Sequence, residues 1–137
     1  MLIFWSLVRN SVVLAVYLLF SVACFLTVHE HSARLWREMS EYLSTDTETS
    51  QWLSGLLAST SRSFIRDGIA DDQVSVRNKA GWISEDGCYS TCDAGLIDVD
   101  GHSYVMSIMT SMPWSDQSSE AVAAIAKALY DVRSSLA

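Results

Sequence analysis

The residues able to do chemistry gather in one stretch, residues 74–110, VSVRNKAGWISEDGCYSTCDAGLIDVDGHSYVMSIMT. It holds Lys79 ahead of Ala80-Gly81-Trp82, and two of the three cysteines, Cys88 and Cys92. Taken by itself, Lys79 reads as an exposed strand lysine. Cys88 and Cys92 are separated by three residues. They can close a small local disulfide in an oxidising compartment or stay as two free thiols. A metal at this pair would lack ligands, because no second pair and no nearby histidine completes a set of four. His29 and His31 flank Glu30, which suits a metal or simply the wet border of an apolar helix. His102, beside Gly101, reads as a hairpin-turn residue. No Ser/His/Asp set stands in an order that would make a triad. No catalytic residue, metal or cofactor is assigned from these patterns.

The elements that position this stretch follow from its periodicity. Val74, Val76 and Asn78 alternate with Ser75, Arg77 and Lys79, the period-2 signature of a half-buried strand. Residues 84–93 are rich in turn formers, Glu85-Asp86-Gly87 and then Ser90-Thr91. Residues 94–99 are a short apolar run. Asp100-Gly101 between apolar flanks is a two-residue hairpin signal. Residues 104–109 are apolar enough to be covered on both faces. A three-stranded antiparallel meander is the economical reading.

Two helices precede it. Ser32 can cap the first, with Leu35, Trp36, Met39, Tyr42 and Leu43 on one face and the i,i+4 pairs Arg34–Glu38 and Arg37–Glu41 on the other. Thr47 can cap the second, with Trp52, Leu53, Leu56 and Leu57 as its buried stripe. Arg66-Asp67-Gly68 reads as a stop and turn. Behind the meander, Pro113 ends the strand and Ser115 or Asp116 caps a last helix. Val122, Ile125, Leu129 and Val132 are its apolar stripe. The class is α+β, with the C-terminal helix packed on the sheet.

The 137 residues suffice for one modest domain. A net charge of −7, with Lys79 and Lys127 the only lysines, excludes nucleic acid as a partner. Residues 10–28 carry no charge. As a helix this run spans about 28 Å, near the hydrocarbon thickness of a bilayer. A transmembrane helix or signal-anchor over residues 1–28 is expected, ahead of a domain at 29–137. A cleaved signal peptide, lipidation at Cys24 and a buried core helix are the alternatives. The basic residues on the two sides, Arg9 against Arg34 and Arg37, barely discriminate orientation.

Asn78-Lys79-Ala80-Gly81-Trp82, followed by Asp93-Ala94-Gly95-Leu96-Ile97 and then residues 104–110, resembles the C-terminal part of the penicillin-recognising serine hydrolases. These are the class A-type β-lactamases and D,D-peptidases, whose third motif is Lys-Thr/Ser-Gly on an edge strand. The resemblance runs from about Ser32 onward. It implies that Lys79 sets a positive field for a substrate carboxylate, and that Ala80 has lost the hydroxyl that would bond it. It further implies that Gly81 admits the ligand close to the strand, and that the Trp82 N–H is an oxyanion donor. The ligand would be a β-lactam or a peptidoglycan peptide, at the cell envelope, with the domain on the extracytoplasmic side of a single-pass anchor.

The departures are equally specific. The residues three positions before Lys79 and Lys127 are Val76 and Ala124, so Ser-x-x-Lys is absent. Ser115-Asp116-Gln117 resembles the second motif but follows the third, in the wrong order. The expectation is therefore a truncated, membrane-anchored homologue, inactive alone. A first alternative is part of a working hydrolase completed by another chain. A second is a small membrane-anchored binding module that takes a protein partner at strand 104–110.

Overall fold

The computed structural model describes residues 30–135. The expected membrane helix at 10–28 lies outside them, as does His29. Among the described residues no helix is long and apolar enough to cross a membrane. Residues 30–43 form α1, Glu48–Ala58 form α2 and Phe64–Ile69 form α3. Three strands follow, β1 (Ser75–Glu85), β2 (Cys88–Val99) and β3 (His102–Thr110), in the order β1-β2-β3 and antiparallel throughout. Helix α4 (Asp116–Asp131) and a short 3-10 turn (Arg133–Ser135) complete the chain.

The expected meander is present, and its strands are longer than the turn formers suggested. Residues 84–93 are not a loop. Glu85 pairs with Cys88, and a tight turn at Asp86-Gly87, with Gly87 at φ 78°, joins β1 directly to β2. At the second hairpin Asp100 and Gly101 both have positive φ, 54° and 77°, as a primed two-residue turn requires. His102 is the first residue of β3 and pairs with Val99 rather than sitting in the turn.

The extension of β2 over residues 88–92 favours the free-thiol alternative over the local disulfide. Cys88 and Cys92 are both on β2, four residues apart, and both thiols are free. An extended strand advances about 3.3 Å per residue, which puts their Cα atoms about 13 Å apart. A disulfide needs less than about 7 Å.

One face of the sheet carries Val76, Ala80, Ile97, Val99, Met106 and Ile108 against Phe64 and Ile65 of α3 and Val122, Ala126 and Tyr130 of α4. The other carries Ala94 and Leu96 beneath Trp36, Met39 and Leu43 of α1 and Leu57 of α2. The helical faces differ from the expected stripes. In α4 the buried line is Ser118, Val122, Ala126 and Tyr130, while Ile125, Leu129 and Val132 are exposed. Small Ala126 and Ser118 let α4 approach closely, which mere counting of large apolar residues misses. In α2 the buried residue is Ser50, and Trp52 is 65 % exposed; in α1 Trp36 is buried, and Leu35 and Tyr42 face out. Arg37 pairs with its neighbour Glu38 rather than Glu41.

Helix α3 was expected as a turn, and two contacts explain why it forms. The Ser63 hydroxyl accepts from the Arg66 N–H. Gly68 brings α3 against α4: a Cβ there would stand 2.1 Å from the Ala123 carbonyl oxygen. Gly68→Ala should therefore destabilise the protein by about 1–3 kcal/mol, as overpacking does. Gly55→Ala, in open space on α2, should stabilise it by about 0.5–1 kcal/mol through helix propensity. Urea unfolding of the two variants checks the pair; equal midpoints would contradict the close crossing.

Candidate functional site

The central polar feature was not legible as such in the sequence. Asn78 and Asp93 lie on inward-facing positions of adjacent strands, both fully buried among apolar neighbours. The Asn78 side-chain amide donates to Asp93 Oδ1 at 2.7 Å. The other oxygen, Oδ2, accepts from the backbone N–H of Ile65 at 3.0 Å, in the first turn of α3. A buried carboxylate without partners is costly; this one has partners on β1 and α3. Burial pushes the Asp93 carboxyl above the usual carboxylate range, against the opposing pull of hydrogen bonds from Asn78 and from the Ile65, Phe64 and Ala94 backbone. One signal was available: Asn78 shares the parity of Val74 and Val76, so it had to point inward.

Asn78 also reaches the α2–α3 loop. Its Oδ1 accepts from the Thr60 hydroxyl at 2.9 Å, and its Nδ2 donates to the Arg62 carbonyl at 3.4 Å. Arg66 tightens the same loop by donating to the carbonyls of Thr60, Ala58 and Val76 at 3.2, 3.0 and 3.2 Å. The Ala58 carbonyl belongs to the last turn of α2, so Arg66 also satisfies a helix end. Gly95 opposite permits the arrangement: a Cβ there would come within 2.8 Å of Asn78 Cα and Cβ.

The clamped loop forms the far wall of a groove along β1. A cavity of about 210 Å³ is lined by Thr60, Ser61, Arg62, Lys79, Ala80 and Trp82. Three of the four residues singled out from sequence thus share one cleft, on a strand at the edge of the sheet. Lys79 is exposed, and its ammonium donates to the Ala80 carbonyl. Gly81 faces Cys92, whose thiol donates to the Gly81 carbonyl at 3.2 Å. A Cβ at Gly81 would meet that sulfur at 3.6 Å, an ordinary contact, so internal packing does not demand glycine here. Lys79 also borders a second cavity of about 330 Å³ beneath α1, with Trp36, Met39, Leu57 and Met109 among its walls.

Trp82 is half exposed and stacks on Trp114, centroids 5.6 Å apart. Ser115-Asp116-Gln117 is used elsewhere: Ser115 caps α4 in a capping box with Ser118. The Thr91 hydroxyl ties β2 to this cap, donating to Met112 O at 3.1 Å and lying 3.3 Å from Ser118 Oγ. Among the described residues no group of three His, Cys, Asp or Glu could hold a metal ion.

An edge strand bearing Lys-Ala-Gly, followed by a second and third strand and a terminal helix, is consistent with the C-terminal part of a penicillin-recognising serine hydrolase. A family model described as the β-lactamase enzyme family matches residues 26–132. The chain belongs to that family. No curated protein and no solved structure matches it.

The Asp93 pair makes a pH prediction. The folded carboxyl titrates above the unfolded one, so between the two values the folded state binds more protons. Its contribution to stability is present below the unfolded pKa, about 3.9, and is lost as pH rises through the raised folded value. Asp93→Asn removes this titration. The stability of the wild type relative to the variant should decline as pH rises from about 4 towards neutrality. Urea midpoints measured for both across that range test it, and parallel curves would refute it.

Proposed function

We propose that this protein is a β-lactamase-like binding protein whose Lys79 groove holds a carboxylate-bearing ligand without hydrolysing it, tethered to a membrane by residues 10–28. The observation that carries the reading is the groove itself. The cation of the third motif lines a preformed cleft at a strand edge, while Ser-x-x-Lys is absent from the sequence. A carboxylate beside Lys79 would gain a charge-assisted hydrogen bond. Hydrolysis needs an activated nucleophile as well, and field alone adds little once that nucleophile is gone. Ala80 borders the cleft with its side chain packed in the core, so recognition would rest on charge.

Incubation with benzylpenicillin followed by intact-protein mass spectrometry should show no covalent adduct, and a chromogenic cephalosporin should not turn over. Calorimetry should show non-covalent binding that Lys79→Ala weakens about tenfold, the loss of one charge-assisted bond. An acylated serine anywhere in the described domain, Ser61 of the groove included, would overturn the reading.

A second reading is favoured by the opposite edge of the sheet. Strand β3 pairs only with β2 among the described residues, residues 104–109 bear no charge, and Val105 is 39 % exposed. Such an edge can accept a partner strand, including one from a chain that supplies the missing nucleophile. Val105→Lys should suppress self-association in sedimentation velocity. A wild type that stays monomeric at high concentration would count against a receptive edge.

A further inference from the structure

The groove carries more than one cation. The protein has 16 acidic residues against nine basic ones, yet Lys79 and Arg62 have no carboxylate partner among the described residues. The described ion pairs engage Arg37, Arg77, Lys127 and Arg133 instead, and Arg66 donates to carbonyls. No acidic side chain lines the cavity that Lys79 and Arg62 share. In an acidic protein, two cations facing one cleft with no acid between them select for an anion.

The third wall is aromatic. Trp82 is 46 % exposed but is not loose. Its ring stacks on Trp114 with 26° between the planes, and the Trp114 backbone N–H donates to the Ser84 hydroxyl of β1 at 3.0 Å. An indole face held open and rigid beside a charged cleft suits a ring laid against it. The remaining wall offers hydroxyls. The Thr60 hydroxyl donates to Asn78 and keeps accepting capacity, and the Ser61 hydroxyl has no hydrogen-bond partner among the described residues.

We infer that this groove binds an acidic sugar. The pyranose ring lies on the Trp82 indole, its carboxylate faces Lys79 and Arg62, and its hydroxyls meet Thr60 and Ser61. The hydroxyl wall favours a sugar over a bare aromatic acid. At about 210 Å³ the cavity is below the usual ~300–1,000 Å³ of ligand pockets, so it takes one ring with its substituent rather than a chain. The inference builds on the carboxylate-binding reading above and adds the ring to it.

The experiment titrates the ¹⁵N-labelled full chain with glucuronic acid, glucose, lactate and benzoate, following the indole N–H signals of Trp82 and Trp114 by NMR. Glucuronic acid should bind tightest, with glucose and lactate each about tenfold weaker or more. Trp82→Ala should weaken glucuronic acid about tenfold and leave lactate unchanged, Trp82→Phe should fall between, and Lys79→Ala should weaken both acids. If lactate binds through Lys79 but glucuronic acid binds no better, the sugar inference falls and the carboxylate site stands. Benzoate binding tighter than glucuronic acid, or indifference to both Trp82 variants, also overturns the inference. If no probe shifts either indole, both readings fail.

Discussion

One buried hydrogen bond, from Asn78 to Asp93, fixes most of what surrounds it. Neither group can remain unpartnered in an apolar layer, and together they have only a few ways to be satisfied. Asp93 takes one donor from β1 and one from the start of α3. That contact places α3, and through Gly68 it places α4. Asn78, once oriented by the carboxylate, turns its remaining donor and acceptor to the α2–α3 loop. The loop then stands opposite Lys79 and gives the cleft its second wall. A polar pair that costs desolvation thus specifies the register of three elements and the shape of a surface groove.

The two sides of the sheet are built differently. The face under α3 and α4 is closed by apolar side chains with two polar inclusions, Asn78 with Asp93 and Thr91 with Ser118. The face under α1 and α2 is thinner, with Ala94 and Leu96 meeting Trp36 and an open cavity remaining next to Lys79. Arg77 strengthens that side: it pairs with Asp98 at 2.5 Å and reaches Ser54 of α2 at 3.4 Å. Large apolar residues on the outer helix surfaces, Trp52, Leu56, Ile125 and Leu129, remain in water. The fold therefore rests on small residues at close crossings as much as on bulk.

The family model covers most of this chain, while only part of the third motif that the family uses stands in its sequence. The cation on the edge strand and its glycine are retained, and the glycine is not demanded by its own packing. The hydroxyl at Ala80 and the Ser-x-x-Lys nucleophile are not there. Holding an anion needs only a fixed cation and a wall, whereas acyl transfer needs a nucleophile, a base and oxyanion donors placed together.

The sequence by itself determined the meander, the tight turn at Asp100-Gly101, the capped terminal helix and the family. These rest on local signals: period-2 alternation, turn residues that tolerate positive φ, a capping hydroxyl and a short ordered motif. It could not tell that Glu85 would pair with Cys88, because turn formers describe a tendency and strand pairing overrides it. The strand that continues from this pair, extended and paired with β1 from Cys88 through Cys92, separates the two cysteines. Nor could it choose which stripe of α4 faces inward, since Val122, Ile125 and Leu129 are equally apolar and only the closeness of the sheet selects Ala126. The groove is tertiary in the same sense. Lys79 and Arg62 are 17 positions apart, and a buried amide between the strand and the loop, invisible to any local pattern, brings them to one cleft.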